Sequence, residues 1–150
     1  MKTYDRVVFV ARSGTCREPM AAGILGDFIL KREIEILARG LIVSFPEPMN
    51  QKAEAVLISN GISMPDFTSK ELVEEDITEN TLILTMESGD RDKVISRFPN
   101  AEDVYVLTDF VGDELEILNP YGGALPAYGL CYETLRKSIK KLVKILNEGE

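Results

Sequence analysis

The chain has 150 residues, carries 25 acidic against 17 basic side chains, and contains no histidine. That length suits one domain with a sizeable core, and a net charge of −8 argues against nucleic acid, whose phosphate backbone selects basic surfaces. The lack of histidine removes the commonest general base and metal ligand, and the two cysteines, Cys16 and Cys131, make neither a disulfide framework nor a metal set. Met1 leads directly into a strand with no signal-like apolar segment, and no stretch approaches the length of a membrane span. The economical reading is a single cytoplasmic domain over residues 1–150, with no membrane partner, metal or cofactor.

Residues 6–10 are the first strand, and Val7 to Val10 (VVFV) are an uninterrupted β-branched and aromatic run, as expected of a strand buried on both faces. A mostly small or polar segment follows, from Ala11 to Arg17, and Pro19 then opens a helix expected to reach Lys31, with Met20, Ile24, Leu25 and Phe28 at helical spacing. Glu35 to Ala38 is a second strand. Leu41 to Met49 is loop, because Pro46 and Pro48 forbid ladder or helix bonding. Asn50 caps a helix that runs to Ser59 and stops at Asn60-Gly61. Mixed loop and short helix fill 66–76. Thr81 to Met86 is a third buried strand, Glu87 to Phe98 a helix stopped by Pro99, and Val104 to Thr108 a fourth strand. A long loop holding Asn119-Pro120-Tyr121 precedes a final helix from Ala127 to Leu146, with Leu135, Ile139, Leu142 and Leu146 on its core side.

Alternating strands and helices predict an α/β fold in three layers, with a four-stranded parallel sheet covered on both faces. Ligands of such sheets bind beyond the carboxyl ends of the strands. Three loops fall there: 11–17, 41–49 and 108–123. The first runs from a buried strand into a helix N-terminus, where unpaired N–H groups and the helix dipole favour an anion. Arg12, Ser13, Gly14, Thr15, Cys16 and Arg17 are the candidate anion-binding residues, with Arg17 offering a bidentate fork.

These residues resemble the phosphate loop of the low-molecular-weight protein tyrosine phosphatases, a strand followed by C-x5-R, then Ser-Pro-Met-Ala and a helix. Arg17, Pro19, Met20 and Ala21 fall on that pattern, and Cys16 matches the family's second cysteine. The likeness continues along the chain in Ala38-Arg39-Gly40, in Gly61-Ile62, in Leu82 to Ser88 (LILTMES), and in Asn119-Pro120-Tyr121, which is similar to the family's Asp-Pro-Tyr loop. It implies the phosphotyrosine protein phosphatase I fold, and it makes Phe45 and Tyr121 pocket walls.

The departures fall on the chemistry. The resemblance places the nucleophilic cysteine at Ala11 and the general-acid aspartate at Asn119, so neither group is intact and Arg17 alone is retained. Without a nucleophile the covalent route is closed, and an amide cannot act as a general acid, a role worth about 10²–10⁴ in rate. The family's Gly-Asn pair is Ser13-Gly14 here, and its histidine near the short helix is Phe67. Glu18 replaces a serine that supports the thiolate in that family, and its charge opposes phosphate, with a salt bridge to Arg12 the expected partial offset.

The expected function is therefore that of a catalytically inactive relative, a pseudophosphatase binding phosphate, another small anion, or a phosphoprotein or regulatory partner. The alternative is an active phosphomonoesterase with non-cysteine chemistry, in which water attacks directly and Asp113, Glu114 or Glu116 moves the proton. An arsenate-reductase-like role ranks last, since it needs the first cysteine and a resolving pair.

Overall fold

The computed structural model describes residues 2–148; Met1, Gly149 and Glu150 lie outside them. Four strands, β1 (Arg6–Ala11), β2 (Glu35–Gly40), β3 (Thr81–Thr85) and β4 (Asp103–Val106), form one parallel sheet in the order β2-β1-β3-β4. β1 lies at the centre, with Val7 opposite Ile36 on one side and Leu82 on the other. Because side chains alternate across a strand, Val7, Phe9 and Ala11 enter one core while Val8 and Val10 enter the other. The larger core lies under α1 (Arg17–Gly26), α2 (Gln51–Ser59) and the long C-terminal helix. The smaller is closed by Val94 of α3 (Ser88–Arg97) together with Leu41, Leu72 and Ile77. This is the three-layer α/β/α arrangement expected from the alternating pattern.

Element boundaries depart from expectation in two places that matter. α1 begins at Arg17 and ends at Gly26. Its early start puts Pro19 at the third helical position, where the N–H would have no intrahelical partner anyway. Its early end follows from Gly26-Asp27, both weak helix formers; the Asp27 N–H turns back to the Ile24 and Leu25 carbonyls, and Ile29 is 92 % exposed. Phe28 still packs on the larger core, but from the following loop. β4 is the second case. It stops at Val106 and runs straight into a short helix, α4 (Leu107–Val111), which Gly112 closes at φ +85°. The loop that follows leads to α5 (Leu125–Glu148). Asn50 caps α2 as expected, its side-chain oxygen accepting the N–H groups of Lys52 and Ala53.

Candidate functional site

β1 delivers the site to the carboxyl edge of the sheet, where Ala11 ends the strand 3 % exposed. Beyond it the chain turns through residues 12–16, and neighbouring segments hold the turn by its backbone. The Ala11 carbonyl accepts the Leu41 N–H at 2.9 Å, and the Arg12 carbonyl accepts the Ile42 N–H at 2.9 Å. On the far side the Thr15 carbonyl accepts the Asn50 N–H at 2.9 Å. Gly14 sits at φ +79°, and the end of β2 presses directly on the turn. A Cβ on Gly40 would lie 2.7 Å from both the Gly14 nitrogen and the Ser13 carbonyl carbon, so only glycine fits there.

Within this frame the side chains take unequal places. Arg12 and Ser13 are exposed, and the Ser13 and Thr15 hydroxyls lie 3.0 Å apart, bonded to each other. Glu18 turns inward. It is 1 % exposed, and its Oε2 accepts the Gly14 N–H at 2.5 Å. No ion pair joins it to Arg12 among the described residues, so the charge offset expected from Arg12 is supplied by backbone N–H groups instead. Burial pushes the Glu18 carboxyl above its ordinary range, while its own N–H, those of Gly14 and Cys16, and the Arg17 guanidinium pull the other way without cancelling the rise.

Arg17 is 3 % exposed, and its hydrogen bonds go to segments other than the turn. Its Nη1 donates to the Ile117 carbonyl at 2.7 Å and its Nη2 to Glu87 Oε2 at 2.6 Å. The guanidinium thus fastens the start of α1 to the β3–α3 junction and to the long loop before α5. Ser88 donates its N–H to Glu116 Oε2 at 3.1 Å, a second tie between the same two segments. Nearby, burial and the Glu87 charge raise the Asp90 carboxyl, with Arg17, Lys93 and Arg12 opposing.

Cys16 caps α1 without a side-chain bond and is 5 % exposed. Burial first, then the neighbouring Cys131 and Glu18, push its thiol up to about 12, against the pull of Arg17. A thiol so raised carries almost no thiolate near neutral pH and is a poor nucleophile there. Among the described residues no group of three or more His, Cys, Asp or Glu side chains is placed to hold a metal ion.

Asn119 lies exposed, its side-chain oxygen accepting the Tyr121 N–H at 3.1 Å, an Asx turn leading into Pro120. Phe45 and Tyr121, expected as pocket walls, are 65 % and 76 % exposed, standing on the loops at the carboxyl edge in contact with solvent. Asp113 is engaged elsewhere, accepting from Ser138 at 2.6 Å and from Lys141 of α5.

Two partners of the site escape a reading of residues alone. Glu87 had a legible signal, an acidic residue just past a buried strand at the ligand-binding edge. The Ile117 carbonyl had none, because a backbone acceptor in a long loop leaves no mark in the sequence.

Comparison with known proteins agrees with the geometry. Residues 6–150 match the family model described as low molecular weight phosphotyrosine protein phosphatase. The chain is similar to a protein-arginine-phosphatase of Geobacillus stearothermophilus, 33 % identical over 94 % of this chain and 95 % of that one. Among solved structures it resembles the YwlE arginine phosphatase from the same organism, with a TM-score of 0.86 at 33 % identity, covering 94 % of this chain and 92 % of that one. It also resembles a low molecular weight protein tyrosine phosphatase from T. tengcongensis, with a TM-score of 0.87 at 33 % identity, covering 94 % and 99 % of the two chains.

Proposed function

The chain belongs to the low molecular weight phosphotyrosine protein phosphatase family, and we propose that it is a non-hydrolytic member, acting by binding a regulatory protein partner. The observation that carries this reading is Ala11 at the buried end of β1, the position that the resemblance assigns to the nucleophile. A methyl group has no lone pair to attack phosphorus, so no phosphoenzyme forms there.

The rest of the constellation agrees. Asn119 has no acidic proton, and its amide oxygen is already engaged by the Tyr121 N–H. Ser13 has no imidazole to activate it, since the chain has no histidine. Cys16 is held as a thiol by burial.

Binding to a partner is supported by the apolar side chains left in solvent on the loops of this edge. Leu115 is 82 % exposed and Leu118 79 %, with Phe45 and Tyr121 close behind. Buried free cysteines suit a reducing compartment, and we place the module in the cytoplasm. No helix among the described residues is long and apolar enough to cross a membrane.

The test is turnover. The purified chain is offered an aryl phosphate, a phosphotyrosine peptide and a phosphoarginine peptide, the last two being the substrate classes named for its relatives. The expected rate is that of the buffer blank. Hydrolysis well above the blank overturns the reading in favour of direct attack by water, and loss of that rate on replacing Asp113, Glu114 or Glu116 then identifies the proton carrier.

A further inference from the structure

We propose that Glu18 is the resident anion of its own loop. Its carboxylate occupies from within the chain the place that the turn between β1 and α1 offers to an external oxyanion, and the native protein is thereby closed to free phosphate. The proposal rests on the non-hydrolytic reading in one respect, since a loop that must admit a phosphate ester has no use for a carboxylate inside it.

Three observations carry it. The Glu18 side chain is 1 % exposed, in the first turn of a helix whose residues 17–25 are all buried, so an acidic group stands where its neighbours are packed away from water. A carboxylate so deeply buried is tolerated only where donors meet it, and the donor found is the Gly14 N–H at 2.5 Å, from the middle of the turn. This is a charge-assisted bond of the short, strong kind that an oxyanion makes with such loops. Finally, Arg17 makes no side-chain hydrogen bond to the turn among the described residues. Its two terminal nitrogens are committed to the Ile117 carbonyl and Glu87, so the cation that would recruit an outside anion is engaged with an inside one.

Phosphate arriving at this turn meets a negative charge already in possession of a donor. Two such charges about 5 Å apart at an effective dielectric of about 20 repel strongly enough to weaken binding on the order of a hundredfold. The two also compete for one donor, because the Gly14 N–H has a single hydrogen and Glu18 holds it.

The experiment is a calorimetric titration of the full chain with inorganic phosphate, comparing the native protein with Glu18→Ser and Glu18→Ala. The native chain is expected to show no saturable binding, and both variants to bind phosphate with affinity on the order of a hundredfold above the native limit. Native binding as tight as that of the variants overturns the proposal, as do folded variants that gain nothing. If neither variant folds, the backbone amide resonance of Gly14 in the native chain decides. It is expected to stay in place through a phosphate titration, and a saturable shift overturns the proposal. The titration registers no turnover, so native phosphate binding would remove the internal anion and leave the absence of hydrolysis standing.

Discussion

The Arg17 guanidinium and the Glu87 carboxylate meet at 2.6 Å across 70 positions of sequence, with the arginine side chain 4 % exposed and the glutamate 47 %. A charge this well buried is retained only if its partners stay, and removing one member of such a pair costs more than the pair gains in forming. Arg17→Ala is expected to lower stability by about 2–4 kcal/mol. Glu87→Gln is expected to cost less, because a glutamine oxygen can still accept from Arg17 Nη2 and the Ile117 carbonyl keeps its donor, whereas Arg17→Ala strips the donor from both. Urea midpoints of the two variants measure the difference, and equal losses would contradict this division of the load.

Gly40→Ala tests the contact between the end of β2 and the turn. The added methyl would meet backbone atoms of Ser13 and Gly14 at 2.7 Å, and backbone cannot rotate away as a side chain can. A loss of about 1–3 kcal/mol is expected. Gly89→Ala, where an added Cβ meets nothing within 4 Å, is the matched control and should stay near native stability. Thermal melts of the two variants give the comparison.

On the non-hydrolytic reading, a thiol placed at position 11 alone is expected to give no activity. Ala11→Cys leaves Glu18 bonded to Gly14 and Asn119 without a proton to give. Ala11→Cys with Glu18→Ser should form a phosphorylated adduct visible by mass spectrometry of acid-quenched samples. Adding Asn119→Asp should then raise turnover by about 10²–10⁴. Full activity from the single Ala11→Cys change would contradict this ordering.

Stability should fall on the alkaline side through the buried thiols. Burial raises Cys16 to about 12, with Cys131 and Glu18 adding to it, and raises Cys131 to about 11 against the pull of Arg17. In the unfolded chain both ionise near 9. Between pH 9 and about 11 the unfolded state therefore binds fewer protons than the native state, and each thiol removes up to about 1.4 kcal/mol per pH unit. The contribution is complete below pH 9 and lost as pH rises through the folded values. Denaturation at a series of alkaline pH values measures the slope, which Cys16→Ala should reduce even though it lowers stability at pH 7. Neither native thiol is expected to react with a disulfide reagent at neutral pH until the chain is unfolded.

Much of this was legible in the residues because burial writes a pattern. The run RVVFVA, the segment TLILT, and the spacing of Leu135, Ile139, Leu142 and Leu146 each point to an element, and each element is present. Asn50 and Gly61 bracket α2 for local reasons that sequence displays directly. The start of α1 was harder, since proline near a helix start is compatible with several early positions and tertiary contacts chose Arg17. α4 was invisible because five residues are too few to show a period.

At the site, the absence of a nucleophile at Ala11 and of an acid at Asn119 needed no coordinates. The direction of side chains did. Glu18 read as a charge opposed to phosphate, with Arg12 as its foil, and only packing shows it folded under Gly14. Arg17 read as a ligand for an anion, and the anion it meets is Glu87, brought close by β3 and not by sequence.

The ties on the loop before α5 are unevenly spaced. Asp113 is held by Ser138 and Lys141, the Ile117 carbonyl by Arg17, and the Gly123 carbonyl by Lys52. Between the last two anchors, residues 118–122 bear outward-facing Leu118 and Tyr121. A spin label or fluorescent reporter placed at Leu118 or Tyr121 stands in water between two fixed points, so it registers the arrival of a partner without loosening the braces on either flank.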